Sequence, residues 1–271
     1  QDVKRIAMGW ALAALLQPAL ARSEDFTGTA RLQLQRIVSY EGEDKGPGRA
    51  AFEGLVEVCN NIRAQFYELP AQHIADGVLS AVDRQRVEHY FSNDRAVTYV
   101  TGTLLELPDL NRWQEAAANS ADGKVERPPD CAGYVAHEHR TGTLWRDGVV
   151  WRLDFTARRA VGTRRAADFT RQPLPLPAPF DTFPKELIAG KTCRVVPMPT
   201  AGFMDGESCL WTAFPAARFL GLPWPLRART RLGMLKKMVT EDKAQFAERN
   251  GVLEPGLFDI PVGFTRVGPT P

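Results

Sequence analysis

The chain has 271 residues, with 34 Lys and Arg against 32 Asp and Glu, a net charge of +2 at pH 7. So even a balance argues against nucleic-acid binding, which needs a concentrated basic face to neutralise phosphates. The length suits one large β-rich domain or two small ones, either able to bury a core. Basic clusters at Arg158-Arg159 with Arg164-Arg165, and at Arg227 to Arg231 with Lys236-Lys237, have acidic neighbours and read as solvated faces or contacts to an anionic surface.

At the N-terminus, Lys4 and Arg5 precede an apolar run, Ile6 to Leu16, then Gln17-Pro18 and the small-residue triplet Ala19-Leu20-Ala21. That is the order of a secretory signal: positive segment, short apolar segment, A-x-A cleavage site. Residues 1–21 are therefore expected to be a signal peptide, with an uncleaved anchor as the alternative, and 22–271 one extracytoplasmic domain. The apolar run falls short of the ~20 residues that a membrane span needs. No second long apolar run follows, so the mature chain is expected not to span a membrane.

Strand-like alternation begins in Phe26 to Tyr40, where Ala30, Leu32 and Leu34 alternate with Arg31, Gln33 and Gln35. Phe52 to Cys59 and Ile62 to Leu69 read as consecutive strands joined by Asn60-Asn61, and Asp83 to Glu88 as a charged passage. Arg95 to Leu107 is another long β-prone run. Leu110 to Ala118 suits a short helix. Thr141 to Phe155, turning at Asp147-Gly148, is the clearest hairpin in the chain. The Pro-rich segment around 171–182 is a linker or a loop over a sheet. Short helical character is expected at Phe183 to Ala189, and strands at Ile188 to Val196 and Ser208 to Phe214. In 230–250, Leu232, Leu235, Val239 and Phe246 approximate a helical stripe, with an adjacent-strand reading as the alternative.

The four cysteines, Cys59, Cys131, Cys193 and Cys209, lie far apart and lack the short paired spacings of zinc sites. An even count behind an export signal reads as two disulfides. Cys193 and Cys209 flank a Pro-, Gly- and Met-containing loop, so their strands can run antiparallel and pair locally; Cys59 then pairs with Cys131.

Chemistry has few places to sit. His137 and His139, two apart on a strand, share a face and are weak candidates for a metal, with no third ligand identifiable. His73 and His89 are single histidines with no orienting partner that the sequence can identify. No nucleophile elbow or glycine-rich phosphate loop is present, and an oxidised chain leaves no thiol nucleophile, so neither catalytic residues nor a cofactor are expected. A cleft setting His137 and His139 beside a carboxylate would favour an envelope hydrolase. More prominent are Phe203, Met204, Trp211, Phe214, Phe219 and Trp224, which suit either a core or a surface for a lipid chain or an apolar patch of a partner.

Three C-terminal motifs carry a resemblance. Ala189-Gly190-Lys191-Thr192-Cys193-Arg194-Val195, Glu207-Ser208-Cys209-Leu210-Trp211 and Pro255 to Phe264 resemble an exported bacterial family of unknown function akin to the outer-membrane lipoprotein carriers. The resemblance covers roughly residues 185–266. It implies a strongly curved, mostly antiparallel half-barrel packed on a few helices, and strands through much of 230–245. The combined expectation is an α+β, β-rich domain in the periplasm or secreted. Its function is expected to be non-enzymatic binding of a lipid or an envelope protein, with a subunit of a larger envelope assembly as the alternative.

Overall fold

The computed structural model describes residues 28–92, 95–120, 125–164, 179–197, 204–211, 225–233 and 238–269. Twelve strands form one sheet, antiparallel except at one edge, in the order β12-β6-β5-β4-β3-β2-β1-β11-β10-β9-β8-β7. β1 (Thr29–Tyr40) lies inside it, paired with β2 (Arg84–Ser92) on one side and β11 (Met238–Arg249) on the other. From β2 the chain meanders through β3 (Arg95–Glu106), β4 (Val135–Arg146), β5 (Val149–Asp154) and β6 (Arg159–Arg164). The second run is β7 (Lys185–Ile188), β8 (Lys191–Pro197), β9 (Met204–Leu210), β10 (Pro225–Leu232) and β11; the short β12 (Thr265–Val267) joins the β6 edge in parallel.

The alternation expected in β1 holds: Ala30, Leu32 and Leu34 are buried in a core with Val87, Phe91, Leu226, Ala244 and Ala247. The Asp147-Gly148 turn also holds, with both residues at positive φ (53° and 71°) joining β4 to β5.

The largest correction concerns residues 47–67, which form not two strands but one helix, α1 (Pro47–Tyr67). Pro47 at its first turn is pre-set for helix, and Phe52, Val56 and Cys59 recur at helical spacing on its buried side. Leu55 and Val58 interleave with these on an exposed flank, giving the local run its strand-like look. α2 (Asp76–Val82) follows, and the expected helix at 110–118 is α3 (Pro108–Asn119). The charged passage from Asp83 is largely strand β2. The helix expected at Phe183 to Ala189 is instead a 3-10 turn, Phe180–Thr182, and then β7, whose tight turn at Ala189-Gly190 splits the strand expected over 188–196. In 230–250 the strand alternative applies, in β10 and β11.

α1 and α2 lie in the β1–β2 connection and α3 in the β3–β4 connection. In an antiparallel meander these two connections emerge at the same end of the sheet. There Cys59 of the first insert is bonded to Cys131 of the second, inside a helical core with Phe52, Leu79, Leu105, Leu107 and Leu110. Asp83 fixes the start of α1. Its carboxylate accepts from the backbone N–H of Gly46 (2.6 Å), Gly48 (2.9 Å) and Arg49 (3.1 Å), groups a helix cannot satisfy itself. The approach demands glycine at 46, where a Cβ would sit 2.1 Å from the Val38 carbonyl oxygen. The second disulfide joins Cys193 on β8 to Cys209 on β9, the pairing expected from antiparallel strands.

The disulfides close loops of 72 and 16 residues. Loop entropy then predicts that Cys59→Ala/Cys131→Ala loses about 4 kcal/mol and Cys193→Ala/Cys209→Ala about 3 kcal/mol. Urea unfolding checks this, and an unchanged midpoint for the first variant would contradict the staple between the inserts.

Candidate functional site

The sheet side carrying Tyr90, Val97 and Leu144 is covered unevenly. The C-terminal segment places Leu257, Phe258, Ile260 and Phe264 against Tyr99, Trp151, Leu153 and Phe155. At the other end of β3, Leu105 belongs to the helical core. Residues of one strand face alternate, so Val97, Tyr99, Thr101, Thr103 and Leu105 share this side. The first two lie under the C-terminal segment and the last under the helices. Thr101 and Thr103 fall between, and an open groove of about 280 Å³ lies there, lined by Arg84, Arg86, Thr101, Thr103, His137 and Glu138 among others.

Beside the groove, aromatic rings hold two arginines. The Arg140 guanidinium lies 4.3 Å from the Tyr99 ring centre and 4.8 Å from that of Phe155; Arg31 lies 5.5 Å from both Tyr90 and Phe246. Gly142 makes room for Tyr99, because a Cβ there would stand 3.1 Å from its ring. The Tyr99 hydroxyl donates to the Leu257 carbonyl at 3.2 Å, tying the C-terminal segment to the sheet. Glu88, 9% exposed, accepts from Gln33 (3.0 Å) and the Tyr90 hydroxyl (3.1 Å), with Arg86 at 3.7 Å. Burial raises both tyrosine pKa values above the usual phenol range, and the Glu88 charge adds to this at Tyr90, so both phenols stay protonated donors. Among the described residues, three buried side-chain polar atoms have no hydrogen-bond partner: Arg31 Nε, Thr101 Oγ1 and Arg140 Nε.

The sequence reading does not single out the groove, although its signal is present. Arg84, Arg86 and Glu88 alternate with Gln85, Val87 and His89 at period two, the pattern of a strand with one polar face. Of the six expected hydrophobic-binding residues, Trp211 is buried in the core, with Lys191 Nζ 5.5 Å from its ring centre. Met204 begins β9, and Phe203, Phe214, Phe219 and Trp224 lie outside the described residues, as does most of the 171–182 segment. His137 and His139 are exposed on β4; His137 Nε2 lies 3.5 Å from Glu106 Oε2, and both of those side chains are about half exposed. No group of three metal-ligating side chains occurs among the described residues.

No protein-family model matches the sequence, and no curated protein does. Among solved structures, an uncharacterized conserved protein from Thermus thermophilus aligns at 10% identity with a TM-score of 0.40, over 91% of this chain and 94% of that one. PNGF-II aligns at 10% identity and a TM-score of 0.39, over 90% of this chain but 32% of its own. A second PNGF-II crystal form gives 9% and 0.35, with 89% and 31% covered. This chain thus spans about a third of the PNGF-II chain. At these scores the likenesses carry no functional argument.

His89 is the histidine the fold encloses. It is 5% exposed, and its Nδ1 shares a hydrogen bond with Thr98 Oγ1 at 2.8 Å. Burial first, and the nearby Arg36 charge second, hold its pKa well below the ordinary 6.5. An unfolded chain takes up that proton near pH 6.5 and the folded one does not. The stability from keeping His89 neutral is therefore complete above pH 6.5 and is lost as pH falls below it toward the depressed folded value. The thermal midpoint should fall between about pH 7.5 and about pH 5, and His89→Gln should flatten that fall. An equally steep fall in the variant would assign it to other groups.

Proposed function

We propose that this protein is a non-enzymatic, extracytoplasmic binding protein whose partner is a hydrophobic segment of an envelope protein. The observation that carries this reading is the apolar arc of α1, which is wider than the surface it buries. Helical spacing sets Leu55, Val58, Ile62 and Phe66 on one strip beside the buried Phe52 and Cys59. Ile62 packs partly on the helical core, whereas Leu55, Val58 and Phe66 are 45%, 45% and 64% exposed. An exposed apolar strip on a rigid element is a common contact surface, and the Cys59–Cys131 bond pins this helix from its middle. Two disulfides and the absence of free cysteines among the described residues support an oxidising compartment, periplasmic or secreted.

A strongly curved half-barrel, like that of the lipoprotein carriers, belongs to the same reading. Arg227 on β10 reaches Glu186 on β7 at 2.9 Å, although the two strands stand three places apart in the sheet. The two long side chains can nearly span the ~14 Å between flat strands so placed. β7 and β11, however, stand four places apart and approach within 8 Å between Cα atoms, where flat strands would be about 19 Å apart, and this supports curling at this end. Hydrolysis is the weaker reading. His137 stands beside Glu106, yet no nucleophile among the described residues hydrogen-bonds its imidazole.

The test is native mass spectrometry of the protein isolated from its own envelope fraction, as wild type and as Leu55→Ser/Phe66→Ser. Leu55→Ser should change stability by no more than about 0.5 kcal/mol, and Phe66→Ser, which also removes a ring contact with Trp113 at 5.9 Å, by about 1–2 kcal/mol. A protein-sized adduct on the wild type that disappears from the variant is the expected result. A lipid-mass adduct on both would replace the reading with lipid carriage, and a bare wild-type monomer would contradict it.

A further inference from the structure

We propose that the groove between the two covered ends of β3 is a binding site for a phosphate group. This rests on different residues from the α1 strip and does not depend on the partner reading. Arg84 and Arg86 project from one side of β2, about 7 Å apart along the strand, a spacing that lets two guanidinium groups converge on one tetrahedral anion. Thr101 lies directly across from Arg86 on β3, and Arg140 directly across from Thr101 on β4. One lateral row therefore places Arg86 and the Thr101 hydroxyl in the groove, with Arg84 one step along and Arg140 at the far end of the row, outside the lining.

The positive charge there is compensated in part. Arg84 and Arg140 form no ion pair with any described carboxylate. Arg86 has one long ion pair, 3.7 Å from Nε to Glu88 Oε2, while the other oxygen of that carboxylate accepts from Gln33 and Tyr90. Glu138 is the single carboxylate in the groove lining. Tyr99 and Phe155 pin the Arg140 guanidinium beside the groove, where it adds to the local positive field without lining the site. Thr101 is 8% exposed, and its hydroxyl meets no partner. Leaving such a group unsatisfied costs roughly 1–3 kcal/mol, and a valine would fill the same space without that cost. A bound oxyanion supplies the missing acceptor.

Phosphate fits this set because the guanidinium fork donates paired hydrogen bonds to its oxygens, and the two lining arginines outnumber the one lining carboxylate. At about 280 Å³ and open to solvent, the groove holds the phosphate and lets the rest of the ligand leave it. That remainder is either a small soluble ester or the body of a lipid.

Isothermal titration of the full protein with inorganic phosphate at low salt, paired with flotation on phosphatidylcholine vesicles doped with phosphatidic acid, tests this. Phosphate should bind, Arg84→Gln/Arg86→Gln should weaken it at least tenfold, and Glu138→Gln should tighten it several-fold. Thr101→Val should weaken binding with no fall in thermal midpoint, which separates a ligand contact from a structural one. Vesicle binding competed by inorganic phosphate would assign the phosphate to a lipid headgroup; phosphate binding without vesicle binding would assign it to a soluble ester. No binding to either probe, or binding unchanged in Arg84→Gln/Arg86→Gln while the fold is intact, would overturn the site.

Discussion

The pairing of β1 with β11 holds the rest of the sheet together. Strands β2 to β6 and β7 to β11 are two local meanders, and β1 is the strand that joins them. Its register with β11 runs from Ala30 opposite Arg249 to Tyr40 opposite Met238, bringing together residues from opposite ends of the described chain. Arg36 and Asp242 fasten the seam with two hydrogen bonds of 2.7 and 2.8 Å, and that carboxylate is the main cause of the raised Arg36 pKa. Closing so long a loop is entropically unfavourable, though the penalty grows only slowly with length. The burial of Ala30, Leu32 and Leu34 against both neighbours offsets it.

The candidate sites follow from what this seam leaves uncovered. Because both helical inserts emerge at one end of the sheet, they cover Leu105 and stop. The C-terminal segment, anchored through Tyr99 and Phe264, covers the other end. Neither reaches Thr101 and Thr103, so a polar gap survives between two apolar clusters. The α1 strip has a similar origin. A helix held at its first turn by Asp83 and in its middle by Cys59 presents a fixed flank, and the helical core is too small to cover all of it.

Much of the scaffold was legible in the residues. Period-two alternation placed β1, the Asp-Gly pair placed the β4–β5 turn, and the loop between Cys193 and Cys209 placed the local disulfide. α1 was not legible, because its apolar arc includes neighbours such as Leu55-Val56, whose outward member blurs the helical period. β10 and β11 were ambiguous for the opposite reason. Leu232, Val239 and Phe246 fall at helix-like intervals, yet backbone pairing with β1 and β9 decides the matter, and pairing is not a local property. The arginine groove needed three strands in register before Arg86, Thr101 and Arg140 became neighbours. Single-strand alternation could mark Arg84 and Arg86 as sharing a face, but not what stood across from them.

Native-state hydrogen exchange tests the central claim, that β1 and β11 form the seam on which both meanders depend. The account predicts that amides of Leu32 to Val38 and Val239 to Ala247 are the most protected and exchange only through global unfolding. Exchange of β1 and β11 through a smaller opening, with β3 to β5 still protected, would contradict it.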